Sequence, residues 1–325
     1  MKKTSKFMLL GMAVFTISCS NESSVTYDSS SNSTTAKTTA LSALTTTPKK
    51  FLFDATKAET AGNADWVLDA DTSPQRLPTP LQSTITATTA ETYWRGALSS
   101  WGIALAKLGH TVETLPSGTA ITYGGTGAQD LKNYDVFVID EPNIKFTTAE
   151  KTAIVNFVKN GGGLFMISDH TVSDRNNDGW DSPAIWNDLM TTNSVQANPF
   201  GISITLNNIS ETTSNRLAAT TNPILNGSQG VVSQLKYSNG ATMTINTTAN
   251  STVQGLIWRG TSTQGTSNIM CASATYGTGR VVVIGDSSPA DDGTGASGDT
   301  LYPGWTELAS HSRLHMNASL WLAKL

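Results

Sequence analysis

Residues 169–181 (DHTVSDRNNDGWD) bring together five acidic or imidazole side chains, Asp169, His170, Asp174, Asp178 and Asp181, in a chain only 14% charged. Carboxylates beside an imidazole suit general acid–base catalysis or cation binding. The spacing divides the segment in two. Asp169 and His170 directly follow 161–168 (GGGLFMIS), a glycine punctuation and an apolar run that read as a buried parallel strand. The pair therefore falls at a strand's carboxyl end, where open α/β sheets bind their ligands. Further on, Asp174, Asn176 and Asp178 alternate and Gly179 follows, which is the first half of a calcium loop. Ile185 stands where an EF-hand needs a bidentate glutamate, so this is no EF-hand, and the Trp180 carbonyl, Asp181 or a distant carboxylate would have to complete a Ca2+ site. The alternative is an Asx-rich turn that bonds its own backbone.

The elements that must position these groups alternate. Strands are expected over 51–54, 111–115, 134–140, 163–168 and 280–285. Helices are expected over 90–108, from the apolar spacing of Trp94, Ala97, Leu98, Trp101, Leu105 and Leu108, and over 148–159, capped by Thr147 or Thr148. A short helix over 181–190 has Ser182 as its cap and Pro183 in its first turn. The closing helix, 310–325, has Leu314, Leu320, Trp321 and Leu322 as its inward face. Between them, 198–274 is rich in Thr, Asn and Gly with short alternating runs, a β-rich insertion. The fold class is thus α/β, a doubly wound and mainly parallel sheet of flavodoxin-like or amidotransferase-like type.

That order places Asp54, Glu141 beside Asp140, Asp169 with His170, and Asp286 at the carboxyl ends of separate strands, which share one edge. Asp169, His170, Glu141 and Asp286 are the catalytic candidates. The other possibility is that these acids cap neighbouring helix N-termini, where the macrodipole favours negative charge. Asp54, Glu59, Trp180 and His311 are candidate substrate contacts on the same rim, with Trp180 and Trp305 in loops where an indole stacks on a sugar ring. Asp291 and Asp292 read as metal ligands or, the preferred reading, as a solvated turn, and His110 as a surface residue. Cys271, within an apolar run, reads as a small core residue.

The first eighteen residues have Lys2 and Lys3, an apolar stretch and small residues before Cys19, the pattern of a secretory signal too short to remain as a membrane span. Ser18 and Cys19 resemble the end of a bacterial lipobox, with Thr16 where leucine is usual, so Cys19 is expected to carry lipid and anchor the chain in the bacterial cell envelope. Residues 19–49 are Ser/Thr-rich and lack the apolar surface for a core, hence a tether. The folded domain spans 50–325. A net charge of -4 and the lack of a basic run after Lys50 exclude a nucleic-acid footprint.

The motifs FLFD, YDVFVIDEP, NGGGLFMISDH, NPILNG and GRVVVIGDSS resemble, over roughly 50–325, the glutamine-amidotransferase-like superfamily and in particular its ThuA-like envelope members. The resemblance implies the fold and, by analogy, a link to carbohydrate metabolism. It implies no nucleotide cofactor. Amidotransferases keep a nucleophilic cysteine after the glycine-led strand, whereas Asp169 and His170 stand here, so glutamine hydrolysis is not expected. Two function classes remain. One is a hydrolase acting on a glycan or related envelope substrate, with Asp169 or His170 as base and Glu141 or Asp286 as acid or metal ligand. The other is a non-catalytic lipoprotein that binds carbohydrate or a cation. Convergence of His170, Asp169 and Glu141 discriminates them, and a His170 turned into the core would defeat the first.

Overall fold

A computed structural model describes residues 47–58, 66–70 and 74–325. Cys19, Glu59, the signal sequence and nearly all of the tether lie outside them. Four parallel strands come first: β1 Lys50–Asp54, β2 Thr111–Leu115, β3 Val136–Asp140 and β4 Gly163–Ile167. The insertion follows with β5 Ile202–Ile204, β6 Ile209–Thr213, β7 Asn226–Gly227, β8 Gly230–Val231, β9 Leu235–Gly240, β10 Met243–Ile245, β11 Gln254–Trp258 and β12 Ile269–Tyr276, before β13 Gly279–Ile284 returns to the sheet. The helices are α1 Ser99–Lys107, α2 Thr148–Lys159, α3 Ser182–Thr192, the short α4 Gly304–Glu307 and α5 Ala309–Leu322.

The main sheet runs β2-β1-β3-β4-β13-β12-β10-β5, with β11 also on β12. Its first five strands are parallel, in the flavodoxin-like order, while β12, β10, β5 and β11 add antiparallel pairs. Apolar runs such as VFVID and GLFMI are buried on both faces. Phe51, Phe53, Val136, Val138, Phe165, Val282 and Ile284 pack in one core with residues of α1 and α5; Leu52, Phe137, Ile139, Leu164, Met166, Val281 and Val283 pack in a second with residues of α2 and α3. Trp101 centres the first, edge-on to Phe53, Phe165 and His315 at 5.2, 5.0 and 4.8 Å. Helix α2 starts from a full capping box between Thr147 and Glu150.

Several sequence expectations are corrected. Helix α1 begins at Ser99 rather than near residue 90. The preceding backbone is pulled into tertiary hydrogen bonds, Leu98 N donating to Val67 O at 3.0 Å and Ala70 N to Arg95 O at 2.7 Å. That approach needs Gly96, where a Cβ would lie 2.3 Å from the Val67 carbonyl oxygen. The cap of α3 is Asp181, not Ser182, because its Oδ1 accepts from Ala184 N at 2.9 Å. His110 is buried and accepts from Lys49 N at Nδ1. Asp291 and Asp292 form a buried turn, not a solvated one, and bind backbone N–H groups of Gly293, Tyr302, Thr294 and Ser100. Trp305 lies in α4, buried, with its Nε1 on Glu91. Leu320 and Trp321 are half-buried at the rim of α5, the indole under the Arg280 guanidinium. Cys271 is a buried core residue of β12 whose thiol is pushed up by burial.

Candidate functional site

The chain's acids meet beyond the carboxyl ends of β3, β4 and β13. Asp140 closes β3, and Glu141 follows with a left-handed φ of 37°. A glutamate there is strained by about 1–3 kcal/mol, a cost that persists only where surrounding contacts hold it. Ser287 Oγ donates to Glu141 Oε2 at 2.7 Å, and Glu141 shares a pocket wall with Asp169. Burial, reinforced by the charge of Asp286, pushes Asp169 well above the usual carboxylate range.

His170 stands beside this pair. Its Nδ1 faces the Thr171 carbonyl at 2.6 Å, which fixes the proton there and leaves Nε2 as an acceptor 3.5 Å from Asp169 Oδ2. Burial lowers its pKa, so the ring is neutral at neutral pH. It is half-buried and lines the pocket instead of entering the core. Asp169, Glu141, His170, Arg175, Ser287 and Tyr302 share the wall of a pocket of 30 Å³. A second pocket, of 130 Å³, shares Ser238, Ser288 and Tyr302 with it and is also lined by Lys236, Glu307 and His311. A larger groove of 440 Å³ lies between α1 and α5, and its acid, Glu91, accepts from Trp305 Nε1.

The structure assigns other roles to several candidates. Asp54 accepts from Thr56 N, Thr56 Oγ1 and Lys57 N at 3.1, 2.8 and 3.0 Å, so its carboxylate fastens its own loop. It also shares the face of Leu52, opposite to that of Val136 and Val138, which Asp140 continues. Asp286 is fully buried, accepts from Ser288 N at 2.8 Å and from Ser238 N, and is pushed to about 7 by burial. It positions two residues of the pocket wall without lining it. His311 accepts from Lys236 N at 3.1 Å through Nε2, and its Nδ1 faces Gly304 O at 2.7 Å. Lys145 Nζ sits 3.5 Å from the ring centre of Trp180, so one face of the indole is taken by a cation. Asp140 remains unusual: it is 1% exposed, and neither carboxylate oxygen has a hydrogen-bond partner among the described residues, the nearby Glu141 N–H going to Ile167 O. Burial and the charges of Glu141, Asp286 and Asp291 push it well above the usual range.

The 174–181 loop is an Asx-rich turn. Asp174 accepts from Asp178 N and Gly179 N at 3.1 and 2.8 Å, Asn176 from Asp178 N at 3.0 Å, and Asp178 from Trp180 N at 2.9 Å. Besides capping α3, Asp181 accepts from Val172 N at 2.8 Å. Arg175, inside residues 169–181, and Ser287, directly after Asp286, were within reach of the sequence. Ser238, Asn239 and Tyr302 carried no local signal, since they arrive from the insertion and from the loop before α4.

No family model and no curated protein sequence matches the chain. Among solved structures, the mmIFT52 N-terminal domain is similar with 14% identity and a TM-score of 0.48, over 84% of this chain and 97% of that one. A cytoplasmic protein from Salmonella typhimurium gives 12% and 0.49 over 84% and 98%. A ThuA-like protein from Parabacteroides merdae gives 12% and 0.39 over 85% and 90%. The class is therefore stated from the sheet itself: an α/β protein with a mostly parallel central sheet and added antiparallel strands.

Proposed function

We propose that this chain is a lipid-anchored envelope hydrolase of the ThuA-like, amidotransferase-like branch, acting on a glycan or related envelope substrate through the Asp169–Glu141 pair. The observation that carries this is the convergence of Asp169, Glu141 and His170 on the wall of one pocket. Such a pair offers a base and an acid together: the ionised member takes a proton from water while the protonated member delivers one to the substrate. Glycosidic cleavage needs carboxyl groups about 5–5.5 Å apart for retention or about 6.5–9.5 Å for inversion. A pocket of 30 Å³ between these acids leaves little room for a sugar ring, which favours attack of water on a carbonyl group, such as an acyl substituent of the glycan. His170 Nε2 stands 3.5 Å from Asp169 Oδ2 on the same wall.

The test is hydrolysis of acylated sugars and p-nitrophenyl acetate by wild type, Asp169→Asn and Glu141→Gln. Loss of 10²–10⁴-fold in both variants is expected. Turnover within twofold of wild type in either variant would sink the assignment. A binding lipoprotein without turnover is the second reading, favoured by the narrowness of the 30 Å³ pocket. Calcium at the 174–181 loop is a separate proposal, for which the same oxygens would exchange their backbone partners for the ion. Calorimetry reads it: heat at millimolar calcium that Asp174→Asn abolishes supports a site, and the lack of any heat leaves the turn as structural.

A further inference from the structure

The groove of 440 Å³ between α1 and α5 shares no residue with the acid pocket, and its volume lies within the range of about 300–1,000 Å³ that small-ligand pockets occupy. One face of each helix builds it. Ala104, Lys107 and Leu108 follow one another at helical spacing along α1 and its C-terminal end, as Ala309, Arg313 and Met316 do along α5. The two alanines are too short to close the gap between the helices, so a trough remains, lined also by Trp305. Two cations stand on this largely apolar wall. Lys107 and Arg313 are half-buried, and neither pairs with a carboxylate among the described residues. Lys107 stands in the last turn of α1, where the macrodipole accounts for a cation, but Arg313, in the first half of α5, has no such reason. Its guanidinium is nevertheless held in place. One N–H donates to Val231 O at 3.2 Å, and Nε lies 3.0 Å from where a Cβ on Gly230 would stand, so that glycine makes room for the group. A guanidinium has five N–H donors, and the others have no acceptor among the described residues.

We propose that this groove is a binding site for a small amphiphilic carboxylate, whose headgroup sits on the Arg313 guanidinium beside Lys107 and whose aliphatic body lies along Ala104, Leu108, Trp305 and Met316. The planar fork of a guanidinium matches a carboxylate bidentately, which an ammonium alone does not do. Charge fixes the valence of the ligand. Glu91, the groove's one acid, accepts from Trp305 Nε1 at 3.2 Å, and against two cations it leaves the wall one positive charge in excess. That excess suits a monoanion, whereas a doubly charged phosphate would remain half uncompensated beside the Glu91 carboxylate. The apolar lining sets the rest of the molecule. Leu108 is 43% exposed, so a ligand chain laid against it removes apolar surface from water, a gain of about fourfold in affinity for each methylene that is buried. Binding here is independent of any hydrolysis at Asp169.

Titration calorimetry on the whole mature protein tests this, with sodium octanoate and sodium decanoate as probes and 1-octanol as the neutral control. Decanoate is expected to bind about tenfold more tightly than octanoate, and octanoate more tightly than octanol. Arg313→Gln should weaken decanoate by about 10–100-fold, as for loss of a charge-assisted hydrogen-bonded pair, and Lys107→Gln by about two- to fivefold, as for an exposed ion pair. Leu108→Glu places a negative charge on an exposed part of the wall and should abolish binding. It answers the question even if Arg313→Gln unfolds, which circular dichroism would show. Absence of decanoate heat up to millimolar concentration overturns the proposal. So does equal binding of octanol and octanoate, which would mean an apolar patch without a headgroup site, and so does unchanged decanoate affinity in a folded Arg313→Gln together with Leu108→Glu. Sedimentation of the same samples covers the remaining occupant: self-association that Leu108→Glu removes and decanoate does not would give the groove to a second copy of the chain and end the ligand reading.

Discussion

Replacing Asp140 by asparagine should make the protein more stable, and increasingly so as pH rises. The carboxyl is buried without a hydrogen-bond partner among the described residues, so the substitution breaks no such bond and changes little in volume. Its folded pKa is raised, by burial first and then by Glu141, Asp286 and Asp291. For an acid raised on folding the sign is the reverse of the usual salt-bridged case. Below the ordinary value of 3.8 both states hold the proton and the group is neutral towards stability. Above it the unfolded chain ionises while the folded chain does not, and stability falls by about 1.4 kcal/mol per pH unit until the folded group also titrates. Asp140→Asn removes that slope. Urea unfolding from pH 4 to pH 8, followed by circular dichroism, should give near-equal midpoints at pH 4 and a gap in favour of the variant that widens towards neutrality. Parallel curves for the two proteins would refute the reasoning, because they would mean that Asp140 ionises in the folded state as easily as in the unfolded one.

Glu141→Asn should leave stability within about 1 kcal/mol of wild type, since asparagine tolerates the left-handed backbone and relief of about 1–3 kcal/mol of strain offsets a lost charged hydrogen bond; the same variant should lose hydrolysis, and thermal unfolding beside an acetate-release assay reads both. Trp101→Ala should destabilise by about 3–5 kcal/mol, because the indole is fully buried and bonded to Ser319 Oγ, and denaturant titration measures it. Thr147→Ala should lower stability by about 1 kcal/mol by removing one half of the α2 capping box, measured in the same way. Mass spectrometry of the mature chain should find Cys19 at its N-terminus with diacylglycerol attached, and Cys19→Ser should release the protein from membranes.

The five parallel strands were legible because their signal is local. YDVFVID, GGGLFMIS and RVVVIG are apolar runs between glycines or turn residues, and β2 spans 111–115 as expected. Helix α2 was legible to its cap for the same reason. The first half of the expected 90–108 helix was not, since its apolar spacing serves a turn-rich segment whose donors bond to 67–70, far away in sequence. Among the acids, alternation along the strands held one unused clue: Asp54 continues the face of Leu52, whereas Asp140 continues that of Val136 and Val138.

By itself the sequence determined the α/β alternation, the shared sheet edge and the short list of acids upon it, because strand periodicity and glycine punctuation act within a few residues. Tertiary structure alone decided which acids remain available for chemistry. Asp286 is taken by the backbone N–H of Ser238, 48 residues earlier, while Glu141 receives Ser287 from 146 residues away. A carboxyl group's role follows from which donors surround it and how far water is excluded, and both are set by segments that meet only when the chain has folded.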